Sequence, residues 1–370
     1  MKNEYYSRIV TLQKLLKENN IEAFFITDPF NIRYLANFTG TNGQILVTPK
    51  KCLFFTDFRY RTVAKKVLPD NIKFIEIDNN FQKTLDPLLQ KNKIKTIGFE
   101  EKHLTVLRYR KLKKVFAAGG SKIKFRPVQD IIESLRERKS QEELRYIIKA
   151  QRIAEKVFLE VKNSLKQGKT EIDIAREIEQ LGQKYGADGI SFPAIVGFGK
   201  NSASPHHQNT NRRLKKGDIV LIDMGMKYKG YCSDMTRMIF TKKPTPIEQK
   251  IYSIVLEAQE KAIKQLKVGV KGSAADEWAR KIIQHAGYGK YFGHSLGHGI
   301  GLEVHESPSL AVNYHKTLPE NTVVTVEPGI YLENFFGVRI EDMVLVESNG
   351  VINLTKISKQ INDCVIKLPS

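Results

Sequence analysis

The stretch LIDMGMKYKGYCSDMTR, residues 221–237, carries two aspartates between two strand-forming runs. The apolar, β-branched segments 219–225 (IVLIDMG) and 235–241 (MTRMIFT) flank Lys227-Tyr228-Lys229-Gly230, so the stretch reads as a β-hairpin. A turn about Tyr228 and Lys229 sets Asp223 directly opposite Asp234, with Cβ atoms roughly 4.5–5.5 Å apart. Like charges so placed repel each other, and bound cations would compensate. Tyr-Lys is not a preferred turn pair, and a one-residue slip would send the aspartates to opposite faces. The alternative is two solvated aspartates on an exposed strand.

A pair of glutamates repeats the pattern. Residues 322–327 form a β-branched run closed by Pro328-Gly329, and 337–346 form a second run. A loop centred on Asn334 sets Glu327 opposite Glu341. Arg339 shares a face with Glu341 by the two-residue period of a strand. It is either a surface ion-pair partner or a cation that orients a metal-bound carboxylate. His298 stands among Gly293, Gly297, Gly299 and Gly301, in a chain with only 8 histidines, flanked by His294 and His305. Glycines there allow close backbone approach to a ligand. HExxH, the phosphate-binding GxxxxGK[ST] and GxGxxG are all absent. Asp223, Asp234, His298, Glu327 and Glu341 together make a hard, oxygen-rich donor set. It suits two divalent ions holding a hydroxide between them, Mn²⁺ by preference, with Co²⁺, Zn²⁺ or Fe²⁺ as alternatives. The chemistry expected is metal-dependent hydrolysis.

The blocks DMGMKYKGYCSDMTR, GHSLGHGIGLEVHE, TVEPGIY and GVRIED, in this order, resemble the pita-bread metallopeptidases of the methionine aminopeptidase, aminopeptidase P and prolidase group. The resemblance covers about residues 140–370, and the preceding half resembles the N-terminal domain of creatinase and prolidase. It implies an α+β pita-bread catalytic domain with an internal pseudo-twofold, behind a smaller N-terminal α/β domain. It also implies that Asp234 and Glu341 bridge the ions, that Asp223 completes one side, and that His298 and Glu327 complete the other. His206 (in SASPHHQNT) and His305 would line the pocket and hold the intermediate, His294 would flank the substrate, and Glu327 would relay the proton. Catalytic roles therefore fall on His206, His305 and Glu327, and substrate contacts on His206, His294, His305 and Arg339. Phe192 and Phe198 are either pocket or core residues.

The two-domain layout resembles aminopeptidase P and prolidase, whereas methionine aminopeptidases generally lack this N-terminal domain. Proline-containing peptides are thus the expected substrates. Some prolidases carry an arginine just after the motif matching His305-Glu306. Here that stretch reads SPSLAVNYH, with Ser309 and no arginine. This departure favours a Xaa-Pro aminopeptidase over a Xaa-Pro dipeptidase. Family members are often dimers, so the resemblance also implies a homodimer.

The 370 residues suit two domains: 1–132, a linker at 133–140, and 141–370. Residues 5–18, 61–67 and 81–90 read as helices, and 21–26, 44–48, 52–56, 72–77 and 96–99 as strands. Ser140 and Glu143 form a capping box ahead of a helix over 141–165. Further helices are expected at 171–186, 246–266 and 273–286. No apolar run is long enough to cross a membrane, and none of the N-terminal residues make a secretory segment. Cys52, Cys232 and Cys364 are few and scattered, which points to reduced thiols in a cytoplasm. Cys232 falls on the strand face of Asp234 if the strand is regular. The formal net charge of +20 comes from lysines spread along the whole chain, with no nucleic-acid motif beside them. A basic interaction module on the same scaffold is the competing reading, and the full donor set argues against it.

Overall fold

The computed structural model describes residues 2–78, 94–118 and 123–368, together with Leu85 and Leu89. The helix expected over 81–90 otherwise lies outside the described residues. The chain divides into two compact units, Met1–Arg136 and Glu137–Ser370.

The first unit is built on a mixed six-stranded sheet of β1 (Ala23–Ile26), β2 (Gln44–Thr48), β3 (Lys51–Thr56), β4 (Ile72–Glu76), β5 (Thr96–Glu100) and β6 (Lys124–Val128). Their order is β4-β3-β2-β1-β5-β6. The helix Lys2–Glu18 buries Ile9, Leu12 and Leu16, the one-sided stripe that its helical period sets up. Phe25, Leu46, Leu53, Phe55 and Ile97 from the sheet meet Leu85, Leu89 and Leu112 in one apolar cluster.

The second unit opens with Gln141–Ser164, capped as expected. Ser140 Oγ accepts from the Glu143 amide at 3.2 Å, and the Glu143 carboxylate accepts from the Ser140 amide at 2.8 Å. Glu171–Lys184, Pro246–Gln265 and Gly272–His285 are its other long helices. The remaining strands are β7 (Gly189–Ile190), β8 (Ile195–Phe198), β9 (Ile219–Met224), β10 (Met226–Tyr228), β11 (Tyr231–Cys232), β12 (Met235–Phe240), β13 (Gly297–Gly299), β14 (Glu306–Leu310), β15 (Thr322–Val326), β16 (Gly329–Leu332), β17 (Phe336–Arg339), β18 (Asp342–Glu347) and β19 (Gly350–Asn353). They form sheets ordered β12-β9-β8 and β14-β13-β15-β18-β19, with ribbons β11-β10-β7 and β16-β17.

Two long hairpins organise this unit. In one, β9 pairs with β12, and the same register runs on into β10 and β11. In the other, β15 pairs with β18, and the register continues through β16 and β17. Both are interrupted midway, at 225 and 233–234 in the first and at 327–328 and 340–341 in the second. Each hairpin packs on a helix pair. Val220, Ile222, Met224 and Ile239 lie against Gln141–Ser164 and Glu171–Lys184. Val324, Val326, Val344 and Val346 lie against Pro246–Gln265 and Gly272–His285. Two helices on one long hairpin thus occur twice, which is the internal repeat that the resemblance implies.

The first hairpin turns elsewhere than expected. Its central residues are Lys229 and Gly230, with φ of 49° and 75°, so it is a two-residue turn of the primed kind that requires positive φ at both positions. Tyr228 pairs with Tyr231, and Asp223 lies opposite Thr236 instead of Asp234. Thr236 and Asp234 share a face by the strand period, so the aspartates become diagonal neighbours and remain on one side. The second hairpin turns at Asn334, φ 58°, and its register is the one expected: Val326 faces Asp342 and Gly329 faces Arg339.

Candidate metal centre and active-site cleft

The breaks in the two hairpins hold the acids. Asp223 is the penultimate residue of β9, beside the break at 225, and Asp234 precedes β12. Glu327 follows β15 and Glu341 precedes β18. His298 is the middle residue of β13. A Cβ on Gly297 would stand 2.0 Å from the Thr325 carbonyl oxygen, so only glycine lets β13 lie this close to β15. All five side chains line one cleft of about 520 Å³, with His206, His294, His305 and Arg339.

Ligand atoms of Asp234, His298 and Glu341 lie within 4.8 Å of one another. His298 Nε2 is 3.2 Å from Glu327 Oε1 and 3.7 Å from Asp234 Oδ2. Its Nδ1 stands 3.1 Å from the Gly299 carbonyl oxygen, which can accept the Nδ1 proton and leave the Nε2 lone pair facing the acids. Thr325 Oγ1 donates to Glu327 at 3.1 Å and accepts from the His298 amide at 3.0 Å. Thr236 Oγ1 donates to Glu341 Oε2 at 2.7 Å. Arg339 is 3% exposed, and its Nη2 lies 2.5 Å from Asp223 Oδ2. It also donates to Thr236 Oγ1, the Tyr331 hydroxyl and the Pro205 carbonyl.

The electrostatics of this chamber call for cations. Burial and the neighbouring carboxylates push Asp234 and Glu341 well above the ordinary carboxylate range. Burial likewise raises Asp223, although Arg339 pulls against it. Glu327 goes the other way. Burial would raise it, but the hydrogen bond and charge of His298 outweigh that and hold it at about 2. His298 is raised in turn, as Glu327 overcomes the cost of burying a cation. Oδ1 of Asp223 and Oδ1 of Asp234 are buried with no hydrogen-bond partner. A buried carboxylate oxygen without a donor is costly, and a cation satisfies it. Four carboxylates against the single guanidinium of Arg339 leave a charge that two divalent ions can balance. The residues therefore fit a pair of metal ions.

Around the acids stand the histidines. The ring of His305 meets that of His298 edge-on, with centroids 4.2 Å apart. His294 Nε2 lies 2.9 Å from the Tyr331 hydroxyl, and burial lowers its pKa, as it does that of His305. Of the two adjacent histidines, His206 lines the cleft, while His207 is held 2.8 Å from Glu171. Phe192 lines the cleft and Phe198 is fully buried in the apolar core. The Cys232 thiol, which burial pushes up to about 11, faces the Leu302 carbonyl at 3.7 Å and does not line the cleft. Tyr331, Thr236 and Thr325 were not singled out from the sequence. Thr236 and Thr325 each stand two residues from an acid on a strand, which is the signal that finds them.

The description "Metallopeptidase family M24" matches residues 145–348, and "Creatinase/Prolidase N-terminal domain" matches residues 8–138. The chain is 37% identical to an uncharacterized peptidase, YqhT, of Bacillus subtilis over 96% of this chain and 99% of that one. It is 36% identical to a Xaa-Pro dipeptidase of Pyrococcus furiosus, over 96% and 99%. A Xaa-Pro dipeptidase from Bacillus anthracis superposes with a TM-score of 0.93, at 36% identity over 98% of this chain and 100% of that one. An X-Pro aminopeptidase from Thermotoga maritima superposes at 0.87, with 38% identity over 97% and 99%. No helix among the described residues is long and apolar enough to cross a membrane. Metal-balanced acids at the breaks of two hairpins, and matches that run nearly the length of the chain, lead to one assignment: this protein belongs to metallopeptidase family M24, as a metal-dependent peptidase with a creatinase/prolidase-type N-terminal domain ahead of a pita-bread catalytic domain.

Proposed function

We propose that the chain is an exopeptidase that hydrolyses the bond between an N-terminal residue and proline, on peptides that extend beyond the proline. Asp223, Asp234, His298, Glu327 and Glu341 would hold two divalent ions, Mn²⁺ by preference for an oxygen-rich shell. When bound, such ions polarise the scissile carbonyl and make a water nucleophilic at neutral pH.

The protein's own groups do the rest. Glu327 accepts the proton of the attacking water and passes it to the leaving proline nitrogen. His305 and His206, which line the cleft, hold the developing oxyanion. His294 flanks the substrate, fixed by Tyr331. Arg339 orients Asp223, and its remaining donors are largely taken by Thr236, Tyr331 and Pro205. Phe192, Pro193 and Ile195 supply an apolar wall against which a proline ring can pack.

The observation that carries the preference for longer peptides is the lining of the cleft. Among the described residues its only guanidinium is Arg339, and Ser309 stands there in place of a cation. A dipeptide places its carboxylate one residue from the scissile bond, where it needs a positive partner. The second reading is a Xaa-Pro dipeptidase. It is favoured by the names that the Pyrococcus furiosus and Bacillus anthracis relatives bear, and it would leave the carboxylate to the histidines. We further infer a cytoplasmic enzyme from its three unpaired cysteines, and a homodimer from the family resemblance.

Hydrolysis of Ala-Pro and Ala-Pro-Ala, with and without Mn²⁺ after chelation, tests this reading. Faster turnover of the tripeptide supports it, and faster turnover of the dipeptide replaces it with the second. Cleavage of neither in the presence of metal would sink both.

A further inference from the structure

A second groove, of about 750 Å³, adjoins the catalytic cleft. Pro205 lines both. Two of its lining residues directly precede residues of the cleft. Pro205 precedes His206, and Gly293 precedes His294. Tyr331 joins the two through its hydroxyl, which meets His294 at 2.9 Å and Arg339 at 2.7 Å.

The hairpin of β16 and β17 gives the groove a direction. Its base, where Gly329 pairs with Arg339, sits beside the acids of the metal centre. Leu332, Glu333 and Phe335 lie at its far end, and they line the groove. At about 3.3 Å per residue, the three strand steps from Arg339 to Phe336 run roughly 10 Å away from the reacting bond. An extended peptide has nearly the same rise, so about three residues past the proline fit alongside. The groove is furnished for such a chain. Phe335 is 55% exposed, which is unusual for a large aromatic side chain at a turn. Lys290 and Tyr291 also line it, with the Lys290 ammonium 4.9 Å from the ring centre of Tyr291.

We propose that this groove binds the two or three residues that follow the proline of a substrate peptide. Phe335 and Tyr291 take apolar side chains, and Lys290 takes the terminal carboxylate or an acidic residue. The occupant is therefore an unstructured oligopeptide with an N-terminal Xaa-Pro, and the inference rests on the exopeptidase reading above. The groove lies outside the metal chamber, so it adds affinity for the leaving portion without entering the bond-breaking step.

The test compares Ala-Pro with Ala-Pro-Phe-Ala on the metal-loaded wild type and on the surface variants Phe335→Ser and Lys290→Glu. The expected result is about a tenfold lower kcat/KM for the tetrapeptide in each variant, mainly through KM, with Ala-Pro turnover unchanged. Equal effects on both substrates, or on neither, would overturn the groove. A wild type that cleaves Ala-Pro but not the tetrapeptide would also overturn it, while leaving Xaa-Pro hydrolysis intact. Cleavage of neither substrate would overturn the exopeptidase reading and the groove with it.

Discussion

Arg237 and Asp342 form an ion pair, Nη2 to Oδ1 at 2.6 Å, with each side chain only 1% exposed. They stand one residue along from Thr236 and Glu341, so they point away from the cleft on the reverse face of the same strands. Arg237 also donates to the carbonyl oxygens of Thr236 and Glu341, at 3.0 and 2.6 Å. Lys359 reaches the other Asp342 oxygen at 2.8 Å and Gln259 Oε1 at 2.5 Å. The backbone that presents Glu341 is thus held from behind by a buried ion pair and its hydrogen bonds.

Replacing one member of that pair leaves the other buried and uncompensated. Asp342→Ala is expected to destabilise the second unit by about 3–5 kcal/mol. Urea unfolding of the chelated protein at neutral pH measures it. A loss below about 1 kcal/mol would mean that water or Gln259 already satisfies Arg237.

The first unit has its own titration. Burial pushes Glu100 up to about 7, against the amide donors of Thr27 and Asp28 and the side chain of Asn31. A carboxyl whose folded pKa is raised favours the folded state when protonated. Its stabilising effect is full below about 4.5 and is lost as pH rises through 7, by up to about 3 kcal/mol. Glu100→Gln should flatten this slope between pH 5 and 8 in denaturant unfolding that follows the first unit. An unchanged slope would assign the titration to another group.

In the metal chamber, Asp234→Ala and Glu341→Ala are each expected to abolish turnover and to lower the bound metal from two ions per chain. Calorimetric titration of the chelated protein with Mn²⁺ reads the stoichiometry, and circular dichroism reads the fold. Full metal binding with near-normal turnover in either variant would refute the shared-ligand arrangement.

Arg339→Lys keeps the charge but loses the planar fork that reaches Asp223, Thr236 and Tyr331 together. Loss of such an orienting partner typically costs about 10–100-fold in metal affinity or activity. The weakened quantity should be metal affinity, read by titration, ahead of KM for peptide. A selective rise in KM would instead place Arg339 on the substrate.

Much of this was legible in the chain because strand chemistry is local. Alternation put Glu341 and Arg339 on one face, and the Asn334 turn gave the register that Val326–Asp342 pairing displays. The Ser140–Glu143 cap and the helices that follow are likewise short-range patterns. The first hairpin exposed the weakness of that reasoning. The turn forms at Lys229-Gly230, one residue beyond Tyr228-Lys229, because Gly230 takes a positive φ at no steric cost, and Asp223 therefore lies opposite Thr236.

The sequence by itself determined which residue types could hold metal and the two-residue period that keeps each acid pair on one face. It determined these because side-chain chemistry and strand period depend on neighbours a few residues away. Only the tertiary structure decided that Arg339 turns to Asp223, that His206 and not His207 lines the cleft, and that Cys232 faces Leu302. Those outcomes depend on partners distant along the chain, which packing brings together and no local pattern encodes.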